Sequence, residues 1–553
     1  MTARAGVFAA AACLLLGACA TSLATTPNEA GVYADHLVGR LANLRQDYPA
    51  AADRYFAALR REPHNQTLVE GAAIASLASG DVERARQAAR LAPGRGAPAY
   101  VYAIRGADDL AAGRNRQADD ELEQAEGAAT ERLITRVMQV WARAAAGDVE
   151  NVLDELTPLA SIRPYGGLFG YQQAMALDHA RRDREALSAY QSASEAGMFL
   201  PPAIERHADL LARSGRAGEA LALLATEENR ANPALAAARA RLEAGEAASP
   251  RRLTPAEGAA IGLYGLAAIF HQEGDETNAL ATLTLALMLD PELDAARLMS
   301  AQIHTDLGHT ELARVALARI AASSPYASTA RMMEAWALID EGRQDEALAT
   351  AHAAAQQGDA RARRALADIY RSLERYEEAE AIYTDLLTAN PTEWRYYFAR
   401  GAARERLGRW SEAEADFRAA LHISPDQPDV LNYLGYTWAD RGERLEEALA
   451  MIERAVELRP NSGAIIDSLG WAHYRLGNYA QALEHLERAV ELEPADPTLN
   501  DHLGDVYWRL GRRIEARFQW QRALTLEPDD PAAIQSKIDR GLPDEPAARS
   551  ATR

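Results

Sequence analysis

The chain has 553 residues and a formal net charge of −21. Apolar residues make up 48% of the chain, and aromatic residues make up only 7% of it. This length is too great for one compact core. It predicts either several domains or a repeat protein, in which each segment buries its apolar face only against its neighbours. The negative charge disfavours nucleic acid or a broad anionic membrane surface as the electrostatic partner. Lys537 is the only lysine, so the rest of the chain cannot supply a P-loop lysine, a Schiff-base lysine or a Ser-Lys dyad.

The first residues of the chain predict an export signal. Arg4 precedes the apolar run VFAAAACLLL, which is too short to cross a bilayer and is typical of a secretory signal peptide. The run ends in LGAC, which resembles the lipobox of bacterial lipoproteins and implies diacylation of Cys19. The resemblance also implies an outer-membrane location facing the periplasm. We therefore predict a lipoprotein signal peptide at 1–19 and a flexible tether at 20–31, the alternative being an ordinary signal peptide in which Cys19 is incidental.

Helical hairpins are predicted from the end of the tether onwards. Residues 32–243 keep apolar residues at helical spacing around central glycine turns, which predicts an N-terminal segment of degenerate repeats. Residues 244–258 contain two prolines and two glycines and predict a linker between two superhelical segments. The periodicity resumes in a second segment at 259–391. No disulfide or cysteine metal site is expected in these segments, because both cysteines precede residue 20.

A regular block at 392–530 repeats one pattern four times. Its copies end at Pro425, Pro460, Pro494 and Pro528, which are 35, 34 and 34 residues apart. The last two copies also repeat a Leu-Gly pair, a turn glycine and two alanines in the same order. A fixed period near 34 residues is the signature of a helix-turn-helix solenoid.

These residues resemble the tetratricopeptide repeat (TPR) family. The resemblance implies an all-α fold, a right-handed superhelical solenoid of about a dozen TPR helix-turn-helix hairpins. The tail at 539–553 is polar and contains prolines, so we predict that it is disordered.

No arrangement of residues in the sequence indicates catalysis. The twelve histidines lack metal-ligand spacing, and there is no nucleophile elbow of the G-x-S-x-G type. His304 and His309 straddle a turn, and we interpret them as ordinary helix-end histidines rather than as metal ligands. We therefore predict a non-enzymatic protein with no cofactor and no metal.

The resemblance locates a candidate binding groove. In TPR proteins the first helix of each hairpin lines the concave groove, at fixed positions around the Leu-Gly pair. Carried onto the last three copies, those positions hold Asn432, Tyr436 and Asp440, then Asp467, Trp471, Tyr474 and Arg475, and then Asp501, Asp505, Trp508 and Arg509. Aromatic and arginine side chains are enriched anchors of protein interfaces, and the aspartates suggest a partner segment with basic or backbone N–H donors. The alternative is that some rings pack against neighbouring repeats, as we expect for Trp438 and Trp520.

The regular block resembles large outer-membrane TPR adaptor lipoproteins of Gram-negative bacteria. This resemblance implies a non-catalytic scaffold that binds other envelope proteins or peptides. Some such lipoproteins present substrates to a carboxyl-terminal-processing protease that controls cell-wall hydrolases. Two alternatives stay open: a component of an exopolysaccharide export, secretion or outer-membrane assembly apparatus, and, from another class, a carbohydrate-binding or enzymatic groove.

Overall fold

A computed structural model describes residues 27–246, 252–357 and 360–543. Within these ranges every regular element is an α-helix, 31 in total, so the predicted all-α fold is confirmed. Packing contacts divide the chain into two compact units, Met1–Ala354 and Ala355–Arg553, which we call unit 1 and unit 2. None of the helices in the described ranges is long and apolar enough to cross a lipid bilayer.

Unit 1 is built from consecutive helices joined by short turns. The first ten are α1 (Pro27–Leu44), α2 (Tyr48–Leu59), α3 (Gln66–Ala78), α4 (Val82–Leu91), α5 (Ala99–Ala111), α6 (Asn115–Leu122), α7 (Ala129–Ala145), α8 (Val149–Leu159), α9 (Gly166–His179) and α10 (Asp183–Glu195). The next ten are α11 (Pro201–Arg213), α12 (Ala217–Leu224), α13 (Glu227–Ala231), α14 (Pro233–Glu243), α15 (Pro255–Gln272), α16 (Glu276–Leu289), α17 (Asp294–Asp306), α18 (Thr310–Leu317), α19 (Ala327–Asp340) and α20 (Gln344–Gln357). The last of them extends past the boundary of unit 1.

The hairpin formed by α15 and α16 packs back onto earlier helices of unit 1. α15 contacts α5, α7 and α9, and α16 contacts α3 and α5. Thr284 Oγ1 donates a hydrogen bond to the carbonyl oxygen of Leu77 at 2.7 Å, although the two residues are 207 positions apart. Ten of the fourteen residues of α16 are buried, because the helix is apolar on all sides and must be surrounded.

Glycines on one face of α15 allow this close packing. Gly258, Gly262 and Gly265 follow one another at intervals of four and three residues, so they share a helix face. A Cβ atom at Gly258 would lie 2.3 Å from the ring of Trp141, and one at Gly262 would lie 2.6 Å from Val137. The backbone of α15 therefore approaches α7 at a distance that only glycine permits.

The structure differs from the predicted segment boundary at 244–258. The hairpin that follows this stretch lies in the same compact unit as the helices before it, and the division between units falls after Ala354. Residues 247–251 of the predicted linker lie outside the described residues. Hydrophobic periodicity located the hairpin, but it carries no information about which distant helices an apolar helix packs against.

Over residues 360–543, unit 2 holds five hairpins followed by a single helix. Its helices are α21 (Ala360–Ser372), α22 (Tyr376–Ala389), α23 (Trp394–Arg406), α24 (Trp410–Ile423), α25 (Pro428–Arg441), α26 (Leu445–Leu458), α27 (Gly463–Arg475), α28 (Tyr479–Leu492), α29 (Pro497–Arg509), α30 (Arg513–Leu524) and α31 (Pro531–Arg540). Each pair from α21 to α30 forms one hairpin, with the two helices of the pair in contact.

In each regular hairpin of unit 2, a glycine inside the first helix faces a large side chain of the second helix. A Cβ atom on that glycine would lie between 2.5 and 2.7 Å from the facing residue: Gly401 faces Phe417, Gly435 faces Ile452, Gly470 faces Leu486 and Gly504 faces Trp520. The four facing side chains are fully buried. In the last three hairpins this glycine belongs to the repeated Leu-Gly pair, and in all four it stands where the facing helix leaves no room for a Cβ atom.

Helices lie close to both ends of the described residues. α1 begins at Pro27, inside the predicted tether at 20–31, and α31 includes Asp539 and Arg540 of the predicted tail at 539–553. Cys19 and the predicted signal peptide lie outside the described residues.

Candidate functional site: the inner surface of unit 2

The first helices of the last three regular hairpins lie side by side. α25 packs against α27, α27 packs against α29, and the second helices α26 and α28 pack against the first helix of the next hairpin. Side chains at the same phase of the repeat therefore follow one another from hairpin to hairpin. The structure brings all the predicted groove residues onto these three helices, and we call them the inner surface: Asn432, Tyr436 and Asp440 on α25, Asp467, Trp471, Tyr474 and Arg475 on α27, and Asp501, Asp505, Trp508 and Arg509 on α29.

Trp471 lies at the centre of this surface between two other rings. Its ring centroid is 4.7 Å from that of Tyr474 on the same helix and 4.1 Å from that of His502 on α29, and both pairs are stacked. The indole Nε1 donates to a carboxylate oxygen of Asp440 at 3.3 Å. Trp471 nevertheless remains half-buried rather than buried. Its position is therefore fixed by both neighbouring hairpins while part of its ring stays accessible.

His502 is a member of the site that the sequence prediction missed. It is 7% exposed, and its Nδ1 lies 2.9 Å from a carboxylate oxygen of the buried Asp467. Burial acts to lower the pKa of His502, but nearby carboxylates, Asp467 foremost, outweigh burial and raise it. The sequence signal for it is the histidine directly before the Leu-Gly pair in D-H-L-G. In the preceding hairpin, Asp467 stands two residues before the Leu-Gly pair.

Lys537 of α31 pairs with the two aspartates of α29 that belong to the inner surface. Its Nζ lies 2.7 Å from a carboxylate oxygen of Asp501 and 2.9 Å from one of Asp505. Asp505 also accepts a hydrogen bond from the indole Nε1 of the fully buried Trp520 at 2.9 Å. Burial raises the pKa of Asp505 although Lys537 opposes it, and the two carboxylates raise the pKa of Lys537 although burial opposes them.

These contacts correct one expectation about the aspartates. Asp467, Asp501 and Asp505 each form an ion pair with His502 or Lys537 of the same chain. Each carboxylate is therefore engaged within unit 2, with Asp501 and Asp505 sharing the one charge of Lys537, and none of the three is a free acceptor for basic groups of a partner.

The two arginines of the inner surface reach back to the preceding hairpin. Arg475 bonds the carbonyl oxygen and the carboxylate of Asp440, 35 positions earlier. Arg509 Nε donates to the hydroxyl of Tyr474 at 3.2 Å, also 35 positions earlier, and its guanidinium donates to the carbonyl oxygen of Pro543. The identical phase of the two residues therefore serves to connect adjacent hairpins.

The remaining aromatic residues divide between surface and core. Tyr436 and Trp508 are half-buried, and burial raises the pKa of the Tyr436 hydroxyl. The guanidinium of Arg513 lies over the ring of Trp508 at 3.7 Å. Trp438 and Trp520 are 2% and 0% exposed, so their predicted place in the core is confirmed.

The histidine pair in unit 1 shows no metal-ligand arrangement. The ring centroids of His304 and His309 are 5.8 Å apart, and burial lowers the pKa of His304 to about 4. Over residues 27–246, 252–357 and 360–543 no three His, Cys, Asp or Glu side chains are placed as a group that could hold a metal ion.

Two-helix repeats that close on a glycine and stack their first helices define a helical-repeat protein. The sequence matches the family model for the tetratricopeptide repeat over residues 333–393, 364–428 and 398–463, and a second model for the TPR repeat over residues 470–511. Residues 333–463 and 470–511 therefore carry tetratricopeptide repeats, a fold that serves as a protein–protein interaction scaffold.

Similarity to three other proteins is limited either in identity or in coverage. A TPR repeat-containing protein of Pseudomonas aeruginosa is 36% identical over 106 residues, which cover 19% of this chain and 18% of that protein. A TPR protein of Parabacteroides merdae is 17% identical, with a TM-score of 0.38 over 44% of this chain and 97% of that chain. A chain in the crystal structure of an APC/C hetero-tetramer is 14% identical, with a TM-score of 0.39 over 94% of this chain and 97% of that chain.

Proposed function

We propose that this protein is a non-catalytic adaptor of the bacterial cell envelope, held on the outer membrane by a lipid on Cys19 and facing the periplasm. In this proposal the inner surface of unit 2 binds an extended segment of a partner protein. The observation that carries it is the half-buried Trp471, which is stacked between Tyr474 and His502. A ring fixed in advance loses little conformational entropy on binding, which favours a role as an interface anchor.

The chemistry of the surface indicates the kind of segment it would bind. Tyr436, Trp471 and Trp508 offer half-buried aromatic area, while the aspartates are paired internally. The side chain of Arg475 is 29% exposed and uses only part of its five N–H donors on Asp440. We therefore expect a segment with apolar side chains and carbonyl or carboxylate acceptors, rather than a basic one.

The inner face of unit 1 is a weaker candidate for the same role. Its helices α3, α5, α7 and α9 are in contact with the chain's own hairpin of α15 and α16. A partner would have to displace a hairpin whose residues are largely buried, at a cost of several kcal/mol.

The finer role we propose is presentation of substrates to a carboxyl-terminal-processing protease that controls cell-wall hydrolases. It follows from the resemblance of the regular block to large outer-membrane TPR lipoproteins. The alternative is a component of an exopolysaccharide export, secretion or outer-membrane assembly apparatus. A carbohydrate-binding groove is a third candidate, and unchanged sugar binding when Trp471 and Trp508 are both replaced by alanine would exclude it.

A site-specific crosslink tests the binding surface. A photoreactive phenylalanine analogue replaces Trp471 in one strain and Phe518, an aromatic residue of α30 that is 63% exposed, in a control strain. We expect the first position to capture a defined envelope protein and the second to capture none of it. Recovery of neither a processing protease nor a cell-wall hydrolase from Trp471 would refute the protease role, and equal capture from both positions would refute the binding surface.

The lipid anchor has its own test. Metabolic labelling with a palmitate analogue should mark the wild-type protein and not the Cys19→Ala variant. An unlabelled wild-type protein would contradict the proposed anchor but would leave the binding surface untouched.

A further inference from the structure

An apolar stripe runs along the exposed side of α1, the first described helix of unit 1. Tyr33, Leu37, Leu41 and Leu44 follow one another at intervals of four, four and three residues, so they lie on one helix face. Their exposed fractions are 61%, 65%, 48% and 80%, and the neighbouring Val38 is 45% exposed. Large apolar residues gathered in this way on one exposed face indicate an interaction surface, unlike single exposed residues.

The opposite side of α1 holds the helix against unit 1. Val32 is buried, and Gly39 lies against the ring of Tyr55 on α2. Asp35 also points to that side, where its carboxylate pairs at 2.7 Å with Arg61, in the turn that follows α2. α1 is therefore a fixed part of the fold, and the apolar stripe is not the result of an undocked helix.

Charge on the exposed side favours an anionic partner surface. The stripe lies between Arg40 and Arg45, both of which are exposed, while the carboxylate of Asp35 is turned away and paired. Although the whole chain carries a charge of −21, charges farther than about 8–10 Å are largely screened at physiological salt. Over residues 33–45 the exposed side is thus apolar with basic edges, which is the pattern of a helix that lies in a membrane interface.

The position of the stripe in the chain identifies which surface covers it. The predicted lipid site Cys19 precedes Pro27, the first residue of α1, by only eight positions. Eight residues span at most about 26–29 Å even when fully extended. A chain anchored at Cys19 therefore holds α1 within about one membrane leaflet's width of the headgroups.

We propose that α1 lies on the membrane surface, with the apolar stripe inserted among the lipid headgroups next to the anchor. This inference rests on the lipid anchor of the proposed function. The stripe from Tyr33 to Leu44 is about 18 Å long and about 10 Å wide. That area is well below the ~800 Å² per partner of a stable dimer interface, and it fits the depth of about 5–10 Å to which an interfacial helix inserts.

A spin label measures the proposed contact directly. The lipidated full-length protein carries Leu37→Cys in one sample and Ile514→Cys, at a position of α30 that is 86% exposed, in the control. Both proteins are reconstituted in vesicles of phosphatidylethanolamine and phosphatidylglycerol, in which the thiol of Cys19 is already alkylated. We expect the label at 37 to be several-fold more accessible to oxygen than to a water-soluble nickel relaxant, and the label at 514 to show the reverse.

The outcomes separate the membrane contact from the anchor. Vesicle-bound protein with a water-exposed label at 37 overturns the contact and leaves the anchor intact. A label at 37 that is shielded from both relaxants, with twice the monomer mass in detergent, assigns the stripe to a second copy and also overturns it.

An unlipidated variant keeps the inference testable if the anchor itself fails. The full chain with Cys19→Ser is expected to bind the same vesicles weakly, and adding Leu37→Glu with Leu41→Glu should lower that partition about tenfold or more. The matched change Ile514→Glu should have no effect. Equal partition of all three variants would overturn the membrane contact whatever holds the chain in the envelope.

Discussion

Replacing Gly470 with alanine should destabilise unit 2, although alanine is the better helix former. The added Cβ atom would lie 2.6 Å from Cγ and 2.9 Å from Cδ2 of Leu486, and 3.2 Å from the carbonyl oxygen of Ala482. Cγ is the branch point of a fully buried side chain, so it cannot move aside as a flexible chain end would. Overpacking of this kind costs about 2–3 kcal/mol, and helix propensity returns about 1 kcal/mol. The expected net loss of unfolding free energy is about 1–2 kcal/mol.

A second substitution reverses the sign of the effect. Leu486→Ala alone should cost about 2–5 kcal/mol, because it opens a cavity opposite Gly470. In that background the new methyl group of Gly470→Ala meets no side chain and fills part of the cavity. The double variant should therefore be about 1 kcal/mol more stable than Leu486→Ala alone, and the coupling between the two sites should be about 2–3 kcal/mol.

Urea unfolding followed by tryptophan fluorescence measures this cycle. Six of the eight tryptophans lie between Trp394 and Trp520, so the signal reports mainly on unit 2. Stabilisation of the wild-type background by Gly470→Ala would show that helix propensity outweighs close packing, and would refute the reasoning. The same change should also weaken partner binding, because Trp471 follows Gly470 directly and its position depends on how the hairpin closes.

Three further outcomes are expected. The stability difference between wild type and Asp467→Asn should be fully present below about pH 6.5 and should decrease as the pH rises through the raised pKa of His502, as measured by urea unfolding at a series of pH values. Lys537→Ala should leave two carboxylates uncompensated and speed amide exchange in α31 about tenfold or more, as measured by mass spectrometry. Gly258→Ala should lower the unfolding free energy of unit 1 by about 2–3 kcal/mol in calorimetry, because its Cβ atom would meet the ring of the buried Trp141 at 2.3 Å.

Each of these expectations has a result that contradicts it. A difference for Asp467→Asn that grows with rising pH would mean that His502 is not held protonated by this pair. Unchanged amide exchange in α31 of the Lys537→Ala variant would mean that Lys537 does not hold the helix on the inner surface. Because Lys537 is the only lysine, amine-selective labelling can also follow it, and this labelling should be slow in the wild type. A stabilising Gly258→Ala would mean that α15 does not dock against Trp141.

Repeats and binding positions differ in how far local sequence determines them. The Leu-Gly pairs, the turn glycines and the 34-residue period lie within single hairpins, so periodicity was enough to predict the helices of unit 2 and the three helices that carry the inner surface. The ion-pair partner of Asp467 was not predicted, because His502 belongs to the next hairpin. Only the stacking of repeats brings the His502 Nδ1 atom to 2.9 Å from the Asp467 carboxylate. The ion pair between Asp501 and Lys537 likewise depends on where α31 docks.

The all-α fold, the repeat length and the aromatic face of the last hairpins could be predicted from sequence, because each depends on residues close together along the chain. The packing of α15 and α16 onto α3, α5, α7 and α9 became known from the folded structure. The same holds for the internal pairing of the aspartates of the inner surface and for the exposure of the stripe on α1. An apolar or charged side chain specifies the kind of contact it needs, whereas the packing of distant helices sets which partner provides that contact.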